Sequence, residues 1–127
     1  SRLPEFTPEE IEYIKGSSDY FGLNHYSTFI VYRNESVSHK SPSYYDDLQV
    51  VVYQSNEWEH GASSFLKVVP WGFYELLTKI RKDYNNPPIL ITENGYSSYG
   101  GLVDDDRISY LRQYISAMMD AIDKGSD

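Results

Sequence analysis

The sequence predicts an α/β fold built from about two strand–helix units, and three observations point to it. The run Ile89-Leu90-Ile91-Thr92 is apolar or β-branched throughout, the composition of a strand buried on both faces. Ahead of it, Phe73, Leu76, Leu77 and Ile80 recur at helical spacing as one stripe, which Asn85-Asn86-Pro87-Pro88 brings to an end. Earlier still, Asp19 to His25 reads as a second buried strand, again with a helical segment before it. Helix, tight turn and strand make the αβ half of a crossover that joins parallel strands.

Each element has its own local reason. Thr7-Pro8-Glu9-Glu10 is a helix start, with Thr as N-cap, Pro at the first helical position and Glu three residues after the cap. That helix is expected to reach Lys15, stop at Gly16 and turn Ile11 and Ile14 inward. The strand that follows delivers Asn24 and Tyr26 to its carboxyl end. From Ser27 to Phe65 the periodicity dissolves, apart from the apolar run Val50-Val51-Val52-Tyr53. A stretch of this kind is functional or disordered, and a long irregular loop with a short hairpin is expected here. The second helix spans Gly72 to Tyr84. After the Glu93 strand and a Gly-, Ser- and Tyr-rich loop, Asp104, Asp105 and Asp106 open the last helix, where acidic groups oppose the macrodipole. Its expected inner face is Ile108, Leu111, Ile115, Met118, Met119 and Ile122, with Gly125 just past its end.

Composition excludes several function classes. With 11 basic and 19 acidic residues, the net charge of −8 disfavours nucleic acid and anionic membranes, which reward a basic face. No apolar run approaches the roughly 18 residues of a membrane span, and nothing at the N-terminus has the basic start and apolar core of a signal peptide. Cysteine is absent, so neither a disulfide framework nor a thiolate metal site is available. The Asp triplet is read as a helix start rather than a metal cluster, and the scattered His25 and His60 as no metal site. No cofactor is expected. Asn34-Glu35-Ser36 fits the N-glycosylation pattern, which bears on localisation only in a secreted or lumenal setting.

The chemistry concentrates at Glu93. The apolar strand delivers Glu93 and Asn94 to its end, and Gly95 lets the chain turn away. A lone Glu-Asn-Gly is a common solvated turn. A carboxylate at the C-terminal mouth of a buried parallel strand is also how α/β barrels build active sites. Here Ile91-Thr92-Glu93-Asn94-Gly95 resembles the nucleophile signature of glycoside hydrolase family 1, the retaining β-glycosidases that include β-glucosidases, lactase-type enzymes and myrosinases. Asp19 to Ser27 is similar to that family's strand 6. Arg2 to Thr7, Lys67 to Phe73 and Asp104 to Leu111 also resemble the family, in its order.

The resemblance implies a partial (β/α)8 barrel, units six and seven, with residues 1–127 a C-terminal-half fragment of one glycosidase domain. A full barrel typically needs about 250 residues, so the rest of the barrel is missing. By resemblance Glu93 is the catalytic nucleophile, Tyr26 contacts it through its phenol, and Asn24 helps line the sugar pocket. Phe65, in Ser63-Ser64-Phe65-Leu66, takes the place of a Trp that walls the leaving-group side. The substrate implied is a β-glucoside or β-galactoside. A retaining enzyme also needs a second carboxyl group about 5–5.5 Å from the first. The family's acid lies in an Asn-Glu-Pro motif, but Asn34-Glu35 is followed by Ser36 and Asn56-Glu57 by Trp58.

Three readings stay open on the sequence. One is a piece of a retaining β-glycosidase, inactive or nearly so alone. Another is a non-catalytic, barrel-derived binding module. The third is a myrosinase-like thioglucosidase, whose acid position is replaced. Open sheet edges predict self-association of a two-unit piece.

Overall fold

A computed structural model describes residues 4–34 and 43–127. Glu35 and Ser36 of the glycosylation pattern, and Arg2 and Leu3, lie outside the described residues. The elements in order are α1 (Pro8–Ile14), β1 (Phe21–Asn24), β2 (Ile30–Arg33), α2 (Tyr44–Leu48), β3 (Val50–Tyr53), α3 (Pro70–Asp83), β4 (Ile89–Glu93) and α4 (Asp105–Asp123). β1 and β4 pair in parallel, and β2 and β3 form the expected hairpin within the long loop, antiparallel with Ile30 opposite Tyr53. The described strands close no barrel.

α1 begins as its sequence dictates. The Thr7 hydroxyl accepts the Glu10 N–H, and the Glu10 carboxylate accepts the Thr7 N–H, a reciprocal capping box. The expectation that Ile11 and Ile14 turn inward is not met, because no residue of α1 is buried. Its flanks face solvent, so its stability is local.

The core is the sandwich of the β1–β4 sheet, α3 and α4. It gathers Leu23, Phe73, Leu77, Ile80, Tyr110, Tyr114, Ala117 and Ala121, with Ile89, Ile91 and Leu76 packed against it. The predicted stripe of α3 is therefore the buried one. The expected two-sided burial of β4 is corrected. Ile89 and Ile91 face the helices, whereas Leu90 is 52% exposed on the other side. Among the described residues, helices cover one sheet face only.

α4 is also rotated relative to expectation. Its buried stripe is Tyr110, Tyr114, Ala117 and Ala121, while Ile108, Leu111, Ile115, Met119 and Ile122 are exposed and Met118 is half-buried. Ala117 and Ala121 contribute two small side chains to the core that α4 shares with α3. Tyr110 and Tyr114 stack with centroids 4.1 Å apart, and the Tyr114 hydroxyl accepts the buried Val69 N–H at 3.0 Å. A buried phenol is tolerated where its hydroxyl finds a partner. Gly125, at φ 99°, ends α4 in the left-handed conformation expected of the residue after a helix. The tail then returns to the sheet, where the Ile89 N–H donates to the Asp127 carbonyl at 3.0 Å.

Burial raises the phenol pKa of Tyr110, of Tyr114 and of Tyr96. Below the usual phenol value both folded and unfolded states hold these protons, so the contribution is constant. Above it the unfolded phenols ionise first, and stability falls as pH climbs towards the folded values. Urea midpoints are therefore expected to drop steadily above about pH 10, and an unchanged midpoint across that range would count against the buried tyrosine layer. Tyr114→Phe strips the Val69 N–H of its acceptor and is expected to cost about 1–3 kcal/mol by urea unfolding at neutral pH.

Candidate active site

β1 and β4 run side by side, so their carboxyl ends open at the same edge. Their register is regular up to Leu23 opposite Ile91 and then shifts, with Asn24 opposite Glu93 and Thr92 left without a counterpart. Such an extra residue re-aims the side chains that follow it. The Thr92 hydroxyl donates to the Asn24 side-chain oxygen, and the His25 N–H donates to the Glu93 carbonyl at 2.9 Å. One residue further on, the Tyr26 hydroxyl donates to Glu93 Oε2 at 2.7 Å.

Asn94 closes the arrangement from behind. Its Nδ2 donates to the His25 carbonyl at 2.9 Å and to the Tyr110 hydroxyl at 2.8 Å. The turn after Glu93 is thereby tied both to the neighbouring strand end and to the core of α4. His25 sits beneath, its ring 4.8 Å from Phe73 and 5.9 Å from Tyr114 by centroids. Burial lowers its pKa, so the ring is neutral packing at neutral pH.

The Tyr26 phenol is held above its ordinary pKa, first by the hydrogen bond to Glu93, then by burial and by the carboxylate's charge. It therefore stays protonated at neutral pH and donates to the carboxylate. A carboxylate held by a phenol at a strand end is fixed in orientation and open to solvent. It can act as a nucleophile or as an electrostatic stabiliser.

Three of the four residues singled out in the sequence, Glu93, Tyr26 and Asn24, meet at this pair of strand ends. Phe65 stands on the run before α3, 63% exposed and tied through its carbonyl, which accepts from Gln54 Nε2 at 2.9 Å. Sequence reasoning missed Gln54, which also reaches the Ser27 hydroxyl and the Thr28 carbonyl. It lies in the stretch without periodicity, and no local signal marks it. Asn94 was visible beside Glu93, but its clamp on Tyr110 depends on the rotation of α4.

A cavity of about 430 Å³ lined by Trp58, Glu59, His60, Tyr96 and Asp106, and a groove of about 680 Å³ along Trp71, Tyr74 and Ala117, lie beside α3 and α4. Neither is lined by Glu93, Tyr26 or Asn24. Among the described residues no group of three His, Asp or Glu is placed to hold a metal, and no helix is long and apolar enough to cross a membrane.

All 127 residues match the family described as Glycosyl hydrolase family 1. Lactase/phlorizin hydrolase of Rattus norvegicus is 44% identical over 124 residues, covering 96% of this chain and 6% of that protein. Beta-glucosidase 9 of Arabidopsis thaliana is 40% identical over 135 residues, covering 100% of this chain and 26% of that protein. The crystal structure of the rice Os3BGlu6 beta-glucosidase aligns at TM-score 0.82 and 28% identity over 99% of this chain and 30% of its own. Aphid myrosinase aligns at TM-score 0.75 and 37% identity over 96% of this chain and 26% of its own. This chain thus spans between 6% and 30% of the lengths of these four relatives. Residues 1–127, a partial (β/α)8 barrel of about two strand–helix units, belong to glycosyl hydrolase family 1.

Proposed function

We propose that the chain carries the nucleophile of a retaining β-glycosidase acting on β-glucosides or β-galactosides, with Glu93 as that nucleophile. The observation that supports this most is the 2.7 Å bond from the Tyr26 hydroxyl to Glu93 Oε2 at the mouth of a parallel strand pair. In the first step a Glu93 carboxylate oxygen attacks the anomeric carbon. The bond to the leaving-group oxygen breaks, its electron pair stays on that oxygen, and a general acid protonates it. Water then attacks the anomeric carbon with base assistance and releases the Glu93 carboxylate.

Tyr26 orients the carboxylate so that one oxygen is held and the other is free to attack. Asn24, braced by Thr92, lines the sugar side, and Phe65 lines the leaving-group side. The general acid comes from residues other than these. Neither Asn-Glu pair of the chain continues into Pro. Without it, and without the remaining sugar contacts, residues 1–127 alone turn over little, since general acid–base help contributes about 10²–10⁴-fold. The likeness to aphid myrosinase keeps a thioglucosidase as the second reading. There the leaving sulfur needs less protonation, and the carboxylate chemistry of Glu93 is unchanged.

An activated 2-deoxy-2-fluoro-β-glucoside, which forms the intermediate and releases it slowly, is expected to label Glu93. Peptide mass spectrometry of the full-length protein checks this, and a label on any other carboxylate would sink the assignment. Tyr26→Phe is expected to slow labelling by about 10- to 100-fold while leaving the unfolding free energy in urea within about 1 kcal/mol of wild type. Equal labelling rates in both proteins would remove Tyr26 from the chemistry.

A further inference from the structure

Gln54 follows Tyr53 at the foot of the β2–β3 hairpin. Its Nε2 lies 2.9 Å from the Ser27 hydroxyl, 3.1 Å from the Thr28 carbonyl and 2.9 Å from the Phe65 carbonyl. An amide nitrogen carries two hydrogens, so three acceptors saturate it. The Ser27 hydroxyl is fixed in turn, accepting the Lys67 N–H at 2.9 Å and donating to the Lys67 carbonyl at 3.3 Å. One side chain therefore ties the end of β1, the base of the hairpin and the 65–67 run into a single knot. That knot begins one residue after Tyr26, whose phenol holds Glu93.

The same run is pinned from its other side. The Ala62 N–H donates to the Ser97 carbonyl at 2.7 Å, the Ser63 and Ser97 hydroxyls are 3.0 Å apart, and the Tyr99 hydroxyl donates to the Gly61 carbonyl at 3.2 Å. A Cβ on Gly61 would lie 1.8 Å from the Ser97 oxygen, so only glycine permits this approach. The segment bearing Phe65 is thus clasped by Ser27 and Gln54 on one side and by the loop that follows Glu93 on the other.

We propose that Gln54 is a positioning residue that sets leaving-group specificity, by fixing where Phe65 stands relative to the Tyr26–Glu93 pair. This rests on reading Glu93 as the nucleophile and Phe65 as the leaving-group wall. The leaving group is present only in the first chemical step, and the glycosyl–Glu93 intermediate is the same whichever group has left. A residue acting through Phe65 therefore alters the first step in proportion to the bulk of the leaving group, and leaves hydrolysis of the intermediate alone. A residue that merely holds the fold together would depress both.

Gln54→Met keeps the length and most of the volume and removes both N–H donors. Two measurements decide the matter. In the full-length protein, the Lys67 amide is expected to exchange about 10-fold faster with deuterium, because its hydroxyl acceptor is no longer held. In the full-length enzyme, kcat/KM for a bulky aryl β-glucoside relative to a compact one is expected to fall about 10-fold or more. The kcat on a dinitrophenyl glucoside, limited by the second step, is expected to stay within about twofold. Ser27→Ala, which removes the shared hydroxyl and leaves Gln54 in place, is the second variant and should give the same split if Gln54→Met does not fold.

Unchanged Lys67 exchange would overturn the pin. Faster exchange with an unchanged leaving-group ratio would overturn the specificity role, as would an equal loss on every substrate. Full turnover by Glu93→Gln would remove the nucleophile reading beneath it, an outcome distinct from each of these.

Discussion

Two parallel strands cannot be joined by a tight turn, and the pairing of β1 with β4 dictates what lies between them. The chain must leave the carboxyl end of β1 and return to the amino end of β4, so residues 25–88 carry a hairpin, an irregular run and α3 in that order. α3 then has to lie back across the sheet, which is why Phe73, Leu77, Thr78 and Ile80 are buried. α4 packs against α3 in turn, and its tyrosines occupy the space between the helices and the strand mouth. Tyr110 meets Asn94 only because that order holds. The carboxylate at position 93 is thus oriented by elements on either side of it in the sequence.

Covering one sheet face leaves the other open. Ile89 and Ile91 are withdrawn among the helices while Leu90, between them, is half-exposed. In a (β/α)8 barrel that second face is filled by layers of side chains from other strands. The aliphatic flank of α4, from Ile108 to Ile122, is uncovered in the same way. An apolar stripe on a helix needs a neighbouring element to bury it, and barrel architecture supplies one beside each unit. The amino-acid pattern of this family chain therefore contains more apolar surface than two units can hide.

That surplus explains where the sequence was legible and where it was not. α3 could be read residue by residue, since its apolar stripe has one packing surface and meets it. The capping box of α1 was equally plain, because its partners are three residues apart. For α4 the aliphatic count pointed to the wrong face. Tyr110, Tyr114, Ala117 and Ala121 share a helix face but are two polar-tipped rings and two small residues, and no hydropathy count ranks them above Ile and Met. Tyr26 and Glu93 could be read from motif resemblance. Their contact could not, because it depends on a register shift at Leu23 and Asn24 that has no sequence signature. Gln54 was the least legible, since its three partners come from two other segments without periodicity.

The Tyr26–Glu93 bond joins residues 67 positions apart. Closing a loop of that span costs entropy that grows with the logarithm of its length, and contacts of high sequence separation form slowly. During synthesis, β1 leaves the ribosome well before its partner exists, so the phenol waits through the making of the hairpin and α3 before the carboxylate arrives. The Tyr26–Glu93 contact is then a late product of folding, absent from any collapsed state in which the helices have formed but the two strands have not yet met.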